Sequence, residues 1–386
     1  MRPDAAPTRQ GAPPTGLGAP CRVPGASPIR RARARRPRSR STMNAMPELK
    51  IPELVCPAGN LPALRAAVDG GADCVYVGLK GDTNARAFPG LNFDRNTLAD
   101  GVRHAHAAGS KVLLAINTYA SGADLSHWTH AIDLAAGIGI DAIIVADPAL
   151  MAYAARVHPS LRLHLSVQGS VTSHAGINFL RDEFGIQRAV LPRVLSLEQI
   201  ANTVANTSVE IEVFGFGSLC VMVEGRCALS AHASGAAPNL DGVCSPARHV
   251  HWIEREEAGQ TWLDARLASV LVDSYRAGEP SSYPTICKGR FEVCGQRYHA
   301  LEAPTSLNAL SLLPELARIG VRAVKIEGRQ RGPAYTAAVT RVWRAALDRL
   351  AQQGDAMRFD PAWSRSLGTL AEGQTDTLGA YSRPWK

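Results

Sequence analysis

From Glu53 onward the chain repeats one alternation: a short apolar, often β-branched run, a polar turn, then a stretch whose apolar positions recur every three or four residues. Short apolar runs of this kind predict strands, and the 3.6-residue recurrence predicts helices. The first period reads ELVCPAGN (53–60) and then LPALRAAVDGGAD, closed by Gly70 and Gly71. The strand pattern returns at CVYVGLK (74–80), KVLLAINT (111–118), DAIIVAD (141–147), LRLHLSVQ (161–168), QRAVLPRV (187–194), VEIEVFGFG (209–217) and VRAVKIEG (321–328). Helical patterns fall at about 94–108, HWTHAIDLAAGIG, PALMAYAARVHP, SHAGINFLRDEFG and the segment opened by Ser196-Leu-Glu198-Gln199. Another helix is predicted from Thr305-Ser306-Leu-Asn308 through Ala317, and a long amphipathic one over 333–351.

Eight strands alternating with helices predict an α/β protein with a parallel sheet covered on both faces. Eight repeats also close a (β/α)8, TIM-type barrel, with an open doubly wound sheet as the main alternative. Residues 47–217 then supply the first seven β/α units, 218–304 an insertion between strands seven and eight, 305–352 the last strand and helices, and 353–386 a C-terminal extension. In a barrel, chain order sets the insertion above the C-terminal face, where active sites form.

Charge changes this picture only at one end. The net charge of +8 is misleading, because residues 1–46 hold ten Arg and a single acid, Asp4. Residues 47–386 hold 32 basic and 33 acidic side chains, a balance of −1 that argues against a nucleic-acid-binding body. Residues 1–46 have almost nothing to bury and are expected to be disordered, with translation starting at Met43 or Met46 as the simplest explanation. Their Arg-rich run, Arg30 to Arg40, otherwise suits RNA contact or resembles a transit peptide. No apolar run approaches the roughly 18 residues of a membrane span. Eight scattered cysteines and no signal-like segment favour the cytoplasm.

The insertion carries the densest chemistry. FGFGSLCVMVEGRC, NLDGVCSPAR and SYPTICKGRF set out Cys220, Cys227, Cys244 and Cys287 with gaps of six, sixteen and forty-two residues. Four thiolates suit zinc or an iron–sulfur cluster. Zinc sites usually use tight C-x2–4-C knuckles, absent here, so the wide gaps lean towards iron–sulfur without deciding it. Free buried thiols and disulfides are the plainer alternatives.

Polar residues at the C-terminal ends of barrel strands face the active site. Here these are Asn117, Asp147, Gln168, Arg193 and the run from Lys325 through Glu327 to Arg329, with Asn84 and Arg86 following the second strand. Each alone reads as well as a cap or turn former; Asp147 precedes Pro148 and suits an N-cap. Together they offer amide and guanidinium donors for a carboxylate or carbonyl, with Glu327 and Asp147 as the acid or base. The histidines form no HExxH, His127 and His130 read as surface, and Walker A, GxGxxG and GxSxG motifs are absent. Trp252, Trp262, Trp343 and Trp385 read as packing residues.

The stretches ELVCPAGNLPALRAAVDGGADCVYVGLKGDTNARAFPGLNF, AINT, LPRVLS, FGSLCVMVEGRC, CSPAR, YPTICKGR, YHALEAPTSLN, VKIEGRQRGPAYT and TLGAYSRPWK resemble the peptidase U32 family. Within it they are most similar to the branch serving oxygen-independent ubiquinone biosynthesis. The resemblance covers nearly everything after the N-terminal segment. It implies a [4Fe–4S] cluster ligated by Cys220, Cys227, Cys244 and Cys287, and hydroxylation of the polyprenylated ubiquinone precursor ring without O2. It also implies a heterodimer with UbiV, a second cluster-bearing U32 protein, prephenate as oxygen donor, and a lipid-binding accessory factor. Other members act on tRNA or ribosomal RNA, and the family name points to a peptidase, for which the sequence shows no nucleophile constellation. Cys294 repeats the Cys220–Cys227 interval and competes by spacing for the fourth ligand position; the family pattern favours Cys287.

Overall fold

The computed structural model describes residues 49–120, 124–240 and 244–383. The Arg-rich segment 1–46 and Trp385 lie outside them. Seven strands follow in chain order: β1 (Glu53–Pro57), β2 (Cys74–Gly78), β3 (Lys111–Ile116), β4 (Ala142–Val145), β5 (Arg162–Leu165), β6 (Arg188–Val190) and β7 (Glu210–Ser218). Each pairs in parallel with the next. The helices between them are α1 (Leu61–Asp69), α2 (Arg95–Ala107), α3 (Ser126–Gly137), α4 (Pro148–Val157), α5 (His174–Phe184) and α6 (Leu197–Ala205). Their starts follow from the sequence. Asn60 caps α1 through the Ala63 amide, Asp94 with Thr97 and Ser196 with Gln199 form capping boxes, and Asp147 caps α4 ahead of Pro148.

After β7 the chain leaves the barrel. The short helix α7 (Ala228–Ser234) is followed by an antiparallel meander of β8 (Val250–Glu257), β9 (Gln260–Leu267) and β10 (Val270–Arg276), then a hairpin of β11 (Phe291–Val293) and β12 (Gln296–Tyr298). Ser306–Asn308 form a strand, β13, antiparallel to the end of β7, where the sequence predicted a helix start. Leu307 is buried there, and the Ser306 hydroxyl accepts from the Glu372 amide, so a distant pairing overrides the local helical pattern. The helix itself, α8 (Leu313–Ile319), begins later, with Pro314 in its first turn.

The chain then returns as β14 (Ala323–Ile326), parallel to both β1 and β7. That double pairing closes an eight-stranded parallel barrel of TIM type. The long α9 (Pro333–Gln353), α10 (Pro361–Gly368) and the two-residue β15 (Asp376–Thr377) complete the chain. Among the described residues no helix is long and apolar enough to cross a membrane.

Two layers make the core. Outward-facing strand residues such as Leu54, Val75, Leu114, Ile143 and Val324 pack against the helices, with Trp343 of α9 fully buried among them. Trp252 differs from its expected packing role, being 42% exposed on the meander. Inside the barrel, Val55, Cys74, Tyr76, Leu113, Ala142, Ile144 and Ala323 form a separate apolar cluster. It fills mainly the β1–β4 side. Towards β5, β6, β7 and β14 the buried residues are His164, Arg188, Glu212 and Lys325. Charges in that position persist only when paired. Lys325 Nζ lies 2.7 Å from Glu212, and Arg188 binds Glu53 at 2.5 Å and Glu210 at 2.7 Å.

Candidate active site at the barrel mouth

The C-terminal ends of the strands surround an open cavity of about 590 Å³, counting its mouth. Its walls divide by chemistry. Ala115, Ile144, Val167, Val190 and Phe214 give an apolar side, while Arg86, Asn117, Gln168, Arg193, Glu327 and Arg329 bring six of the eight polar residues picked from the sequence. The other two do different work. Asn84 donates to the Leu79 carbonyl at 2.6 Å and accepts from the Arg86 amide at 3.0 Å, so it shapes the loop carrying Arg86. Asp147 accepts from the Ala149 amide at 2.8 Å and the Ala120 amide at 3.0 Å, which makes it the N-cap of α4 and a loop anchor.

Three polar lining residues escaped the sequence reading: Tyr76 on β2, Ser166 just after β5, and Glu224, which reaches in from the cysteine insertion. Lys325 of β14, the start of the polar run at the last strand, also faces in. The alternation of CVYVG contained a signal for Tyr76, because Cys74 and Gly78 share its face. Glu224 had none, since its place depends on how the insertion docks. That docking is close: Ser170 donates to the Glu224 carbonyl at 2.7 Å, and a Cβ on Gly225 would stand 2.5 Å from the Gln168 carbonyl oxygen.

Electrostatics single out four groups. Arg193 lies 3.2 Å from Glu224, stacks 3.9 Å over the Phe214 ring and donates to the Ser218 carbonyl. Burial opposes its charge, but Glu224 and Glu327 outweigh that and hold it firmly protonated. Burial also pushes the Glu327 carboxyl up, yet Arg193, Arg86 and the Ser218 amide bring it below the usual range. For Glu224 burial dominates and raises the carboxyl despite Arg193. Burial and Arg86 draw the Arg329 guanidinium down to about 10. Arg329 Nη1, Glu224 Oε2 and, beside them, Gln168 Oε1 are buried atoms without a hydrogen-bond partner among the described residues. Leaving such atoms unpaired costs about 1–3 kcal/mol each, so their convergence on one cavity points to a polar ligand.

The thiols lie beside this cavity. Arg193 and Cys220 act on each other's ionisation, and Cys227 accepts from the Ser230 amide at the start of α7. Burial raises the thiols of Cys220 and Cys227, and raises Cys287 to about 12. Cys244 raises all three further, so each of the other three sulfurs stands within electrostatic reach of Cys244. Among the described residues no three His, Cys, Asp or Glu side chains are close enough to hold one metal ion. Four cysteine thiolates are the donor set that an iron–sulfur cluster takes. Cys294 is exposed in the β11–β12 turn at φ 52°, and Cys56 and Cys74 are buried in the barrel.

Comparison with known proteins turns on residues 59–384, which match the model of peptidase family U32. The chain belongs to that family. It is similar to the tRNA hydroxylation protein P1 of Bacillus subtilis, 29% identical over 85% of this chain and 70% of that protein. It is 30% identical to the tRNA hydroxylation protein P of Escherichia coli over 83% of this chain and 72% of that one. It is 29% identical to the 23S rRNA 5-hydroxycytidine C2501 synthase of Escherichia coli over 86% of this chain and 47% of that protein. The chain therefore spans about 70% of the first two relatives and about half of the third.

Proposed function

We propose that this U32 chain takes part in hydroxylating an aromatic or heteroaromatic ring without O2, with the barrel-mouth cavity as the reaction site. The observation that carries the reading is the convergence of Arg329 Nη1, Gln168 Oε1 and Glu224 Oε2, all buried and unpartnered, on a cavity with an apolar opposite wall. Such a site holds a flat ring against Ile144, Val190 and Phe214 while its polar side orients an oxygen-bearing co-substrate. The names of the relatives support a nucleobase of tRNA or ribosomal RNA as that ring.

A second ring substrate has its own support. Residues 47–386 carry 32 basic and 33 acidic side chains, a poor match to a polyanion. The strings quoted above are also similar to UbiU of oxygen-independent ubiquinone biosynthesis. On that reading the ring is the polyprenylated ubiquinone precursor, the partner is UbiV, and a lipid-binding factor presents the substrate. Prephenate is the oxygen donor, its carboxylates facing Arg329 and Arg86. For peptide hydrolysis, no Cys or His among the described residues lines the cavity, and the Ser166 hydroxyl there accepts from Asn117 Nδ2 and the Gln168 amide, with no base among these partners.

On either reading Cys220, Cys227, Cys244 and Cys287 hold a [4Fe–4S] cluster, which when bound supplies one-electron transfer. Arg193, between Cys220 and the cavity, keeps a fixed positive charge at that boundary. Glu327, held ionised, anchors Arg193 and the Ser218 amide. One experiment separates the substrates. Cells grown without O2, with and without the chain, are compared by nucleoside digests of tRNA and rRNA and by quinone extracts. A hydroxylated pyrimidine that depends on the chain supports the RNA substrate. An under-hydroxylated quinone precursor that accumulates without it supports the second. If neither changes, the proposal fails.

A further inference from the structure

Below the cavity, one charged group is placed for chemistry that the hydroxylation reading does not itself assign. Lys325 is 6% exposed, yet it lines the cavity floor. Its Nζ lies 2.7 Å from Glu212 Oε1 and 4.0 Å from the centre of the Tyr76 ring. Glu212 on β7 is sealed at 0% exposure, and its second oxygen has no hydrogen-bond partner among the described residues. Arg188 Nη1 lies 3.5 Å from that oxygen and also lacks one. His164 on β5, buried at 3%, has both ring nitrogens unpartnered, and burial with Arg188, Arg162 and Lys325 keeps its ring neutral.

We propose that Lys325 is the proton-transfer group of the cavity and Glu212 the residue that positions it. A structural ion pair inside a barrel has no need to reach the cavity, whereas Lys325 is held by a sealed carboxylate and also lines that space. The proton balance is simple. For an oxygen-bearing co-substrate X–OH the balance is Ar–H + X–OH → Ar–OH + X–H: the X–O bond breaks as the ring C–O bond forms, and X, which takes the electron pair, is the two-electron oxidant. Nζ gives its proton to that leaving group and becomes a neutral amine. It takes a proton back when the ring carbon loses its hydrogen and aromaticity is restored. No electron passes through the lysine. The groups facing Nζ are Glu212 from β7, Arg188 from β6, His164 from β5, Tyr76 from β2 and Arg329 beyond β14. Burial, Arg188 and Arg329 favour the neutral amine, and Glu212 favours the ammonium; burial prevails and lowers Lys325 below the ordinary lysine range. That direction brings a lysine towards working pH, where proton transfer is most effective.

This inference rests on the cavity being the reaction site, and the test keeps the two apart. The full chain is exposed to trace acetic anhydride between about pH 7 and about pH 11, around the lysine titration range, and each lysine is read by peptide mass spectrometry. Lys325 should reach half-maximal labelling at lower pH than exposed Lys80. Glu212→Gln should move that midpoint lower still, since the carboxylate that favours the ammonium is gone. Separately, cells carrying Lys325→Arg as the only copy should lose hydroxylated product by about 100-fold or more, the scale of a lost acid–base group. Arginine keeps the cation but holds its proton, so an electrostatic role alone would be spared. Labelling of Lys325 in step with Lys80, or no labelling at any pH, overturns the proposal. So does product from Lys325→Arg within about threefold of the unmodified chain, well short of a lost acid–base group. Absence of product with the unmodified chain would instead sink the hydroxylation reading, and the labelling midpoints would still decide the role of Lys325.

Discussion

Arg188→Met asks whether the charged half of the barrel interior is one coupled unit. Arg188 is 5% exposed and reaches Glu53 at 2.5 Å, Glu210 at 2.7 Å and Glu212 at 3.5 Å. Methionine fills much of the same space, so loss of charge is the main perturbation. Glu53 shows the scale. Burial pushes its carboxyl up, but hydrogen bonds from Lys111 and Arg188 more than reverse that and bring it from 4.5 to about 2. A drop of that size corresponds to about 3 kcal/mol, an upper figure because the side chain is 28% exposed. Arg188 and Lys111 share the effect, which leaves about 1–1.5 kcal/mol to Arg188. Glu210 acts in the same direction, since burial raises it and Arg188 and Arg162 lower it on balance. Glu212 keeps Lys325 but loses its second neighbour. Removing Arg188 from these buried partners should cost about 3 kcal/mol, the low end for breaking a buried pair.

The sign with pH follows from the lowered carboxyls. Their stabilisation is complete above about pH 4.5, where the unfolded carboxyls are ionised, and fades as pH falls towards about 2. Urea unfolding at pH 7 should show the full loss in Arg188→Met, and across that acid window the variant should lose less further stability than the unmodified chain. A loss below about 1 kcal/mol at pH 7, with an unchanged acid limb, would mean that water satisfies these carboxylates separately and would refute the coupling.

Two further predictions concern the site. In Gly78→Ala the new Cβ would stand 2.3 Å from Arg329 Nη1 and 2.8 Å from Asn84 Oδ1, so the guanidinium must leave its place. Product should fall about tenfold or more, while overpacking costs about 1–3 kcal/mol of stability; full activity would show that Arg329 does not hold the ligand. Replacing any of Cys220, Cys227, Cys244 or Cys287 by Ser should strip iron from anoxically purified protein, and Cys294→Ser should retain it. Iron lost from Cys294→Ser and kept in Cys287→Ser would reassign the fourth ligand.

The barrel was legible because a strand buried on both faces needs a nearly continuous apolar run, and eight such runs stand out from helical spacing. The polar strand ends were legible for the same reason, as breaks in those runs. Asp147 shows the limit, since a cap and a catalytic carboxylate look alike until the helix behind Pro148 is seen to take its oxygens. Ser306–Asn308 was misread because three residues carry little strand signal of their own, and their partner is β7, almost a hundred residues earlier. Arg188, Glu212, His164 and Lys325 sit at inward positions of their strands, but the ion pairs that let them be buried cross between strands. Lys325 falls in the polar run at 325–329, but nothing within any one segment announces its partners.

That charged half also explains why the insertion and the barrel act as one site. Arg193 is fixed by groups from both sides: the Phe214 ring and Glu327 belong to the barrel, while Glu224 belongs to the insertion. Its charge lowers Glu327 and Cys220 together, so the ionisation of the cavity wall and of the nearest thiol share one cation. Undocking the insertion would leave Arg193 buried without Glu224, a charge that the apolar wall of Val190 and Phe214 cannot solvate. The insertion is therefore held over the cavity by the same ion pair that closes its wall. Because Glu224 itself lines the cavity, a change at the thiols that shifts it reaches the ligand site both directly and through Arg193.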